Sequence, residues 1–346
     1  MNNKRRNMVF GLAAGALLWG SGYLSAQQPA KRKGWAPGKG YGWVWGKNDE
    51  VGALNTLGPD DVREAMRLVR QGKVYDLGIT YDRTSYKWPG HSPGEILSFR
   101  TPEGVKRQQD NEFTQGPGNA SGTAWHSSAL FVSDNVATQI DGLGHATEGR
   151  DNHWYNGFKA ADWGSNWGIR KCGAETIPPI VCRGVLLDVA GHRRVDALPS
   201  HFRITRALLQ EVATAQRTEI RPGDAVFIRT GTLRYWGETG ANQEKIREHD
   251  SAGIDVDAAE WLVGDKGAVL VGSDTSGLEV GPVPASSTSF MPVHNYLLIK
   301  QGVHIGEFHN LEGLAADRAY EFAYVCGVNK FKGTAAGFVL RPLALR

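Results

Sequence analysis

SDNVATQIDGLGHA, residues 133–146, is the stretch on which the reading of this chain turns. Taken as a strand running into a glycine turn, its two-residue period sets Asn135, Ala137, Gln139 and Asp141 on one face and Val136, Thr138 and Ile140 on the other. The apolar face then enters a core while the polar face lines a cleft. Gly142 and Gly144 permit a bend that returns His145 beside Asp141, so that a carboxylate, an amide and an imidazole come within reach of one another. That grouping suits a catalytic or a metal site.

Outward from this stretch the pattern alternates. Residues 145–168 carry His153, Trp154, Tyr155, Trp163 and Trp167, which predicts an aromatic-lined pocket for a flat or ring-shaped substrate; the alternative is that the rings cover the sheet. Upstream, Pro59-Asp60-Asp61 opens a helix from Val62 to Arg70, VYDLGITYD (74–82) reads as a strand, and the loop holding Trp88, Pro89, His91 and Pro93 reads as a lid or substrate wall. Residues 102–123, rich in Gly, Gln and Asn, predict a long loop. Downstream, 183–191, 224–232 and 268–277 read as buried strands, with helices over 204–217 and 293–302. Strands and helices are mixed throughout, which predicts α/β class, and no repeat or composition break divides the chain after its N-terminal region.

Composition bounds the function. Of 346 residues, 41% are hydrophobic and 22% charged, enough apolar content for a sizeable core. Lys4, Arg5 and Arg6 precede an apolar run from Met8 to Leu24 and a small-residue site at Leu24-Ser25-Ala26. Residues 1–26 therefore read as an export signal, twin-arginine or general, directing the protein to the periplasm or outside the cell. Residues 27–42, rich in Gly, Lys and Pro, read as a linker, and residues 43–346 as one domain. The chain has 39 basic against 36 acidic residues, and the three basic residues of the signal account for its whole net charge of +3. A neutral mature chain gives no reason to expect nucleic acid as a partner, and no second apolar run is long enough to span a bilayer. Of three cysteines, Cys172 and Cys182 flank a proline-containing loop and can pair in an oxidising compartment, while Cys326 reads as a buried thiol.

The central stretch resembles the HxGTHxDxPxH signature of the cyclase family, the superfamily of bacterial kynurenine formamidase and isatin hydrolase. Thr138, Asp141 and His145 match it; Asn135 and Gln139 stand where the family has ligand histidines, and Ala137 stands for Gly. The form TQxDxLxH followed by Tyr155-Asn156-Gly157 resembles an atypical branch of that family. RGVLLD, the PGD turn followed by IRTG, VGSDTSGLE, PVHNYLL and IGEFHNL extend the resemblance, in order, over residues 43–345. It implies an α/β fold with a mixed, β-barrel-like core and surrounding helices, a homo-oligomer, and a metal site completed by His294 and Glu307.

The resemblance implies a hydrolase of amide, lactone or cyclic carbonyl compounds, with Asp141, Gln139, His294 and Glu307 at a divalent metal, manganese or zinc, and His145 as base. His304 and His309 compete for the later ligand position, and a strand would put His309 on the face of Glu307. Neutral amide oxygens at Gln139 and Asn135 favour harder ions over dinuclear zinc. Without metal, Asp141 and His145 form an acid/base pair for a lyase, isomerase or cyclase, with Gln139 donating to a developing oxyanion. The third alternative is a non-catalytic periplasmic binding protein. In each case Asn135, His153, Trp154, Tyr155 and Trp88 are the expected pocket for a small cyclic or aromatic molecule.

Overall fold

The computed structural model describes residues 32–108, 114–237 and 240–346. The expected export signal lies outside the described residues. The principal strands are β1 (Val74–Asp76), β2 (Gly94–Arg100), β3 (Ser127–Val132), β4 (Gln139–Asp141), β5 (Ile180–Asp188), β6 (Ala225–Arg229), β7 (Leu270–Ser273), β8 (His304–Glu307), β9 (Glu321–Cys326), β10 (Ala336–Gly337) and β11 (Leu343–Leu345). Nine of them form one mixed, curled sheet in the order β1-β11-β9-β5-β6-β7-β8-β4-β10, while β2 and β3 make a separate two-stranded ribbon. This is the α/β architecture with a barrel-like mixed core that the sequence predicts.

The middle of the sheet follows from composition. IVCRGVLLD, AVFIR and LVGS are covered on both faces, as parallel strands between helices must be, and β5, β6, β7 and β8 run parallel. The crossover from β5 to β6 uses the helix α1 (Arg206–Gln216), opened by Thr205, whose side chain accepts from the Leu208 N–H, and closed by Arg217 in the left-handed region. It buries Leu209 and Val212 against the sheet. The outer strands are antiparallel, and the one that matters for function is β4, which pairs with β8 so that Gln139 faces Glu307 and Asp141 faces Ile305.

Local expectations shift in identifiable places. Only Val74–Asp76 of the predicted 74–82 strand joins a ladder, and the predicted helix begins earlier, spanning Pro59–Met66. Part of the predicted 102–123 loop is a helix, Pro102–Gln108: Thr101 caps the Gly104 N–H, and Pro102 occupies the first helical position, where a missing N–H costs nothing. The 293–302 segment is a short turn, Pro292–His294, running into a wide π turn over Asn295–Lys300. Cys172 and Cys182 do not pair: all three cysteines are buried free thiols, with Cys182 in mid-strand opposite Tyr324.

The expected linker is also corrected over its described part. From Arg32 onward the chain is docked, because its large rings find both apolar cover and hydrogen-bond partners. Trp35 Nε1 donates to the Val263 carbonyl at 2.9 Å, Tyr41 Oη to the Gly267 carbonyl at 2.5 Å, and Gln301 Oε1 accepts from the Tyr41 N–H at 2.7 Å. Trp35→Ala should therefore destabilise the protein by about 3–5 kcal/mol, the cost of emptying a buried aromatic site. A urea unfolding midpoint unchanged by the substitution would show that the segment is a linker after all.

Candidate metal centre

The centre is built on the β4–β8 pair. Gln139 and Asp141 share one face of β4, while Ile140 between them enters the core from the other. The strand is shorter than the sequence pattern suggests. Ala137 sits at φ 56°, which breaks the extended run, yet the bend still leaves Asn135 Oδ1 3.2 Å from Gln139 Nε2. After β4 the glycine turn behaves as predicted: the His145 N–H bonds the Gly142 carbonyl at 3.0 Å, and a Cβ on Gly142 would lie 2.5 Å from the Ala335 carbonyl oxygen. His294 arrives from the other side on the Pro292–His294 turn.

His294 is held from behind. Its Nδ1 is hydrogen-bonded to Glu279, whose other oxygen accepts from the Val293 N–H at 3.0 Å. That leaves Nε2 facing Asp141 Oδ2 at 3.7 Å and Glu307 Oε1 at 3.6 Å. One ligand atom each from Asp141, His145 and His294 lies within 4.8 Å of the others. Asp141, His294 and Glu307 are buried; His145 is half-buried.

Two observations test whether a divalent ion fits. Asp141 Oδ2 and Gln139 Oε1 are buried without a hydrogen-bond partner, a costly condition that a cation relieves. The 3.6 and 3.7 Å separations at His294 also match the spacing of about 3.5 Å between atoms sharing one ion at 2.0–2.2 Å. The donor set of one carboxylate and two imidazoles, with a second carboxylate alongside, fits. Burial disfavours a charged His294, but the Glu279, Glu307 and Asp141 carboxylates outweigh it and push its pKa up to about 10. Burial and the neighbouring Asp141 hold Glu307 well above the usual carboxylate range.

Several expected roles change. Gln139 Nε2 does not stand free for an oxyanion, since it donates to Glu307 Oε2 at 2.6 Å and lies 3.2 Å from Asn135 Oδ1 and 3.4 Å from Asp141 Oδ1; its Oε1, the amide oxygen expected at the metal, is buried without a hydrogen-bond partner. The Asp141–His145 acid/base pair is not hydrogen-bonded, because Oδ1 faces Gln139 and Oδ2 has no partner. Trp154 and Tyr155 belong to the core, Tyr155 Oη bonding Asp49 at 2.6 Å, so these rings cover the sheet rather than line a pocket. His153 lies between Glu148 and Asp151, beside Trp43. His304 bonds the Asp141 carbonyl from the opposite face. His309 does not share the face of Glu307: Phe308 at φ 49° reverses the chain, and the ring packs under Gly306 against Phe227, where burial lowers its pKa to about 3.

Two residues escape the sequence reading. Glu279 closes the VGSDTSGLE landmark, and only its distance contact with His294 reveals its role. His91, in the loop read as a lid, reaches His145 with ring centroids 6.4 Å apart, and Trp88 packs against it with its ring tilted by 52° and centroids 5.2 Å apart. Burial and the adjacent His145 push the His91 pKa down. Asp274 and Arg229 are structural: Asp274 accepts from the Thr230 and Gly231 N–H groups, and Arg229 pairs with Glu312 and Asp188.

The Cyclase family model matches residues 75–280, more than half of the chain. The chain belongs to the cyclase family. His294 and Glu307 lie beyond the matched segment, and the fold brings them to it. Among solved structures, a crystal structure of a novel cyclase is 29% identical, with a TM-score of 0.73 over 89% of this chain and 100% of that one. Isatin hydrolase A from Ralstonia solanacearum is 19% identical, with a TM-score of 0.54 over 79% of this chain and 92% of that one. An isatin hydrolase bound to the product analogue thioisatinate is 16% identical, with a TM-score of 0.51 over 84% and 99%. At such identities the two isatin hydrolases share the fold of this cyclase. None of the curated proteins matches the chain.

Two outcomes follow from the Glu279–His294–cation arrangement. Glu279→Gln should weaken divalent-ion affinity about 10–100-fold without unfolding the protein, measured by chelator competition. Because the ion must displace the proton that the carboxylates hold on His294 up to about pH 10, affinity should rise with pH through the neutral range, with proton release in calorimetry. Affinity independent of pH would contradict this ligand set.

Proposed function

We propose that this cyclase is an exported, metal-dependent hydrolase of a small amide, lactone or other cyclic carbonyl compound. The observation that carries the reading is the convergence of Asp141, His145 and His294 around bare, buried Asp141 Oδ2. A divalent ion held there, manganese or zinc, supplies Lewis acidity toward a carbonyl oxygen. The protein's own groups do the rest. Glu279 aims the His294 imidazole, Gln139 fixes Glu307 and Asp141, and Glu307 Oε1 stands beside His294 Nε2. With His145 among the ligands, His91 is the neighbouring imidazole left to take up and return a proton, and its loop is anchored where Tyr86 donates to buried Asp250 at 3.1 Å. The thioisatinate-bound isatin hydrolase of the same fold supports a cyclic, aromatic substrate, which Trp88 beside His91 would cover.

The Lys4-Arg5-Arg6 segment and the apolar run after it support export to the periplasm. Among the described residues no helix is long and apolar enough to cross a membrane. The β2–β3 ribbon supports a homo-oligomer. Its Leu97, Phe99, Leu130 and Phe131 are 53–70% exposed, with Leu97 and Phe131 on one face and Leu130 on the other. A bare two-stranded ribbon is marginal in water, and one about 20 Å long offers an area on the order of the ~800 Å² per partner of a stable interface.

The test is activity toward isatin-type cyclic amides with metal content measured in parallel. Asp141→Ala should lose both ion and turnover, whereas His91→Ala should keep the ion and lose about 10²–10⁴-fold in kcat. Unchanged turnover after chelation would end the metal-dependent reading. Phe131→Asp should reduce the mass in light scattering to that of one chain; a wild-type chain that is already monomeric would remove the oligomer.

A further inference from the structure

We propose that the Gln139 amide occupies what would otherwise be a second cation position, so that this chain holds a single divalent ion. The inference rests on the metal-dependent reading above and specifies its stoichiometry. Three oxygen atoms converge on Gln139 Nε2: Glu307 Oε2 at 2.6 Å, Asn135 Oδ1 at 3.2 Å and Asp141 Oδ1 at 3.4 Å. Two of the three are buried carboxylate oxygens, which is the surrounding a hard cation takes. An amide nitrogen fills it instead, with two N–H donors and no lone pair for a metal. Turning the amide over would set its oxygen against three other acceptors, so charge fixes the orientation.

The consequence is a division of each carboxylate. Asp141 turns Oδ1 to the amide and leaves Oδ2 3.7 Å from His294 Nε2; Glu307 turns Oε2 to the amide and leaves Oε1 3.6 Å from the same nitrogen. One oxygen of each thus stands on the side of His294 and one on the side of Gln139. The β4–β8 register, which places Gln139 directly opposite Glu307, makes the arrangement a property of the sheet rather than of a flexible side chain. Gln139 is a positioning residue that both fixes the two carboxylates and excludes a neighbouring cation.

Gln139→Glu tests this, since it replaces the N–H donor by an oxygen without changing the size of the side chain. With manganese at saturation, elemental analysis should find one ion per wild-type chain and a second in Gln139→Glu, and electron paramagnetic resonance should show exchange coupling in the variant alone. Gln139→Met, which removes the donor and adds no ligand, should keep one ion and bind it about 10–100-fold more weakly. Should Gln139→Glu not fold, Gln139→His supplies an imidazole at the same position and is read in the same way. Two coupled ions in the wild type, or one uncoupled ion in both Gln139→Glu and Gln139→His, would overturn the proposal. No ion at all in the wild type would overturn the metal reading together with it, a result distinct from either.

Discussion

Two carboxylates buried side by side set the terms for this structure. Asp141 and Glu307 stand on adjacent strands, with almost no exposure, and neither can carry a bare charge there without compensation. The fold compensates from two directions, the Gln139 amide from within the sheet and the His294 imidazole from a separate turn, and Asp141 Oδ2 is left without a hydrogen-bond partner. Each compensating group is itself fixed. His294 depends on Glu279, and Gln139 depends on the strand register, so the charge balance of the centre is written into packing well beyond it.

The scaffold explains why that balance can be held. The parallel strands β5 to β8 are covered on both faces and place their carboxyl ends on one edge, where polar side chains can be fixed by backbone donors. Asp274, just past β7, accepts from two backbone N–H groups beyond β6, and Arg229 ties β6 to Asp188 and Glu312. These are structural ion pairs and caps that hold the ends of β6 and β7, next in the sheet to β8, the strand with which β4 pairs. The loop bearing Trp88 and His91 is joined to the same body through Tyr86, which packs on Phe308 and bonds Asp250. It therefore brings His91 to His145 from a defined base rather than as a free lid.

The parts of the site legible from residue pattern alone are close along the chain, whereas His294 and Glu307 join them in the sequence only through the resemblance to the family. The Gly142–Gly144 turn that carries His145 back beside Asp141 needs only local geometry, and the apolar runs of β5, β6 and β7 identify themselves by composition. Where local geometry departs from the two-residue pattern, the structure differs from the expectation. Ala137 and Phe308 both take positive φ, conformations a two-residue period does not anticipate, and they shortened β4 and turned His309 away from the centre. Trp154 and Tyr155 were ambiguous by sequence because aromatic rings serve a pocket or a core equally well; the hydrogen bond from Tyr155 to Asp49, more than a hundred residues away, decided for the core.

By itself, then, the sequence determined the fold class, the order of its strands and helices, the cyclase landmarks and the nearness of Asp141 to His145. Tertiary structure alone decided that Gln139 is a donor between carboxylates, that Glu279 supports His294, that Trp35 and Tyr41 dock rather than trail, and that His91 meets His145. The physical reason is register. A one-residue slip between β4 and β8 would leave the composition of both strands unchanged yet turn Glu307 away from Gln139, and β8, buried along its whole length, shows no alternation that distinguishes the two pairings. Burial of Ile140 on one side and the need to neutralise two carboxylates on the other select the register that is found.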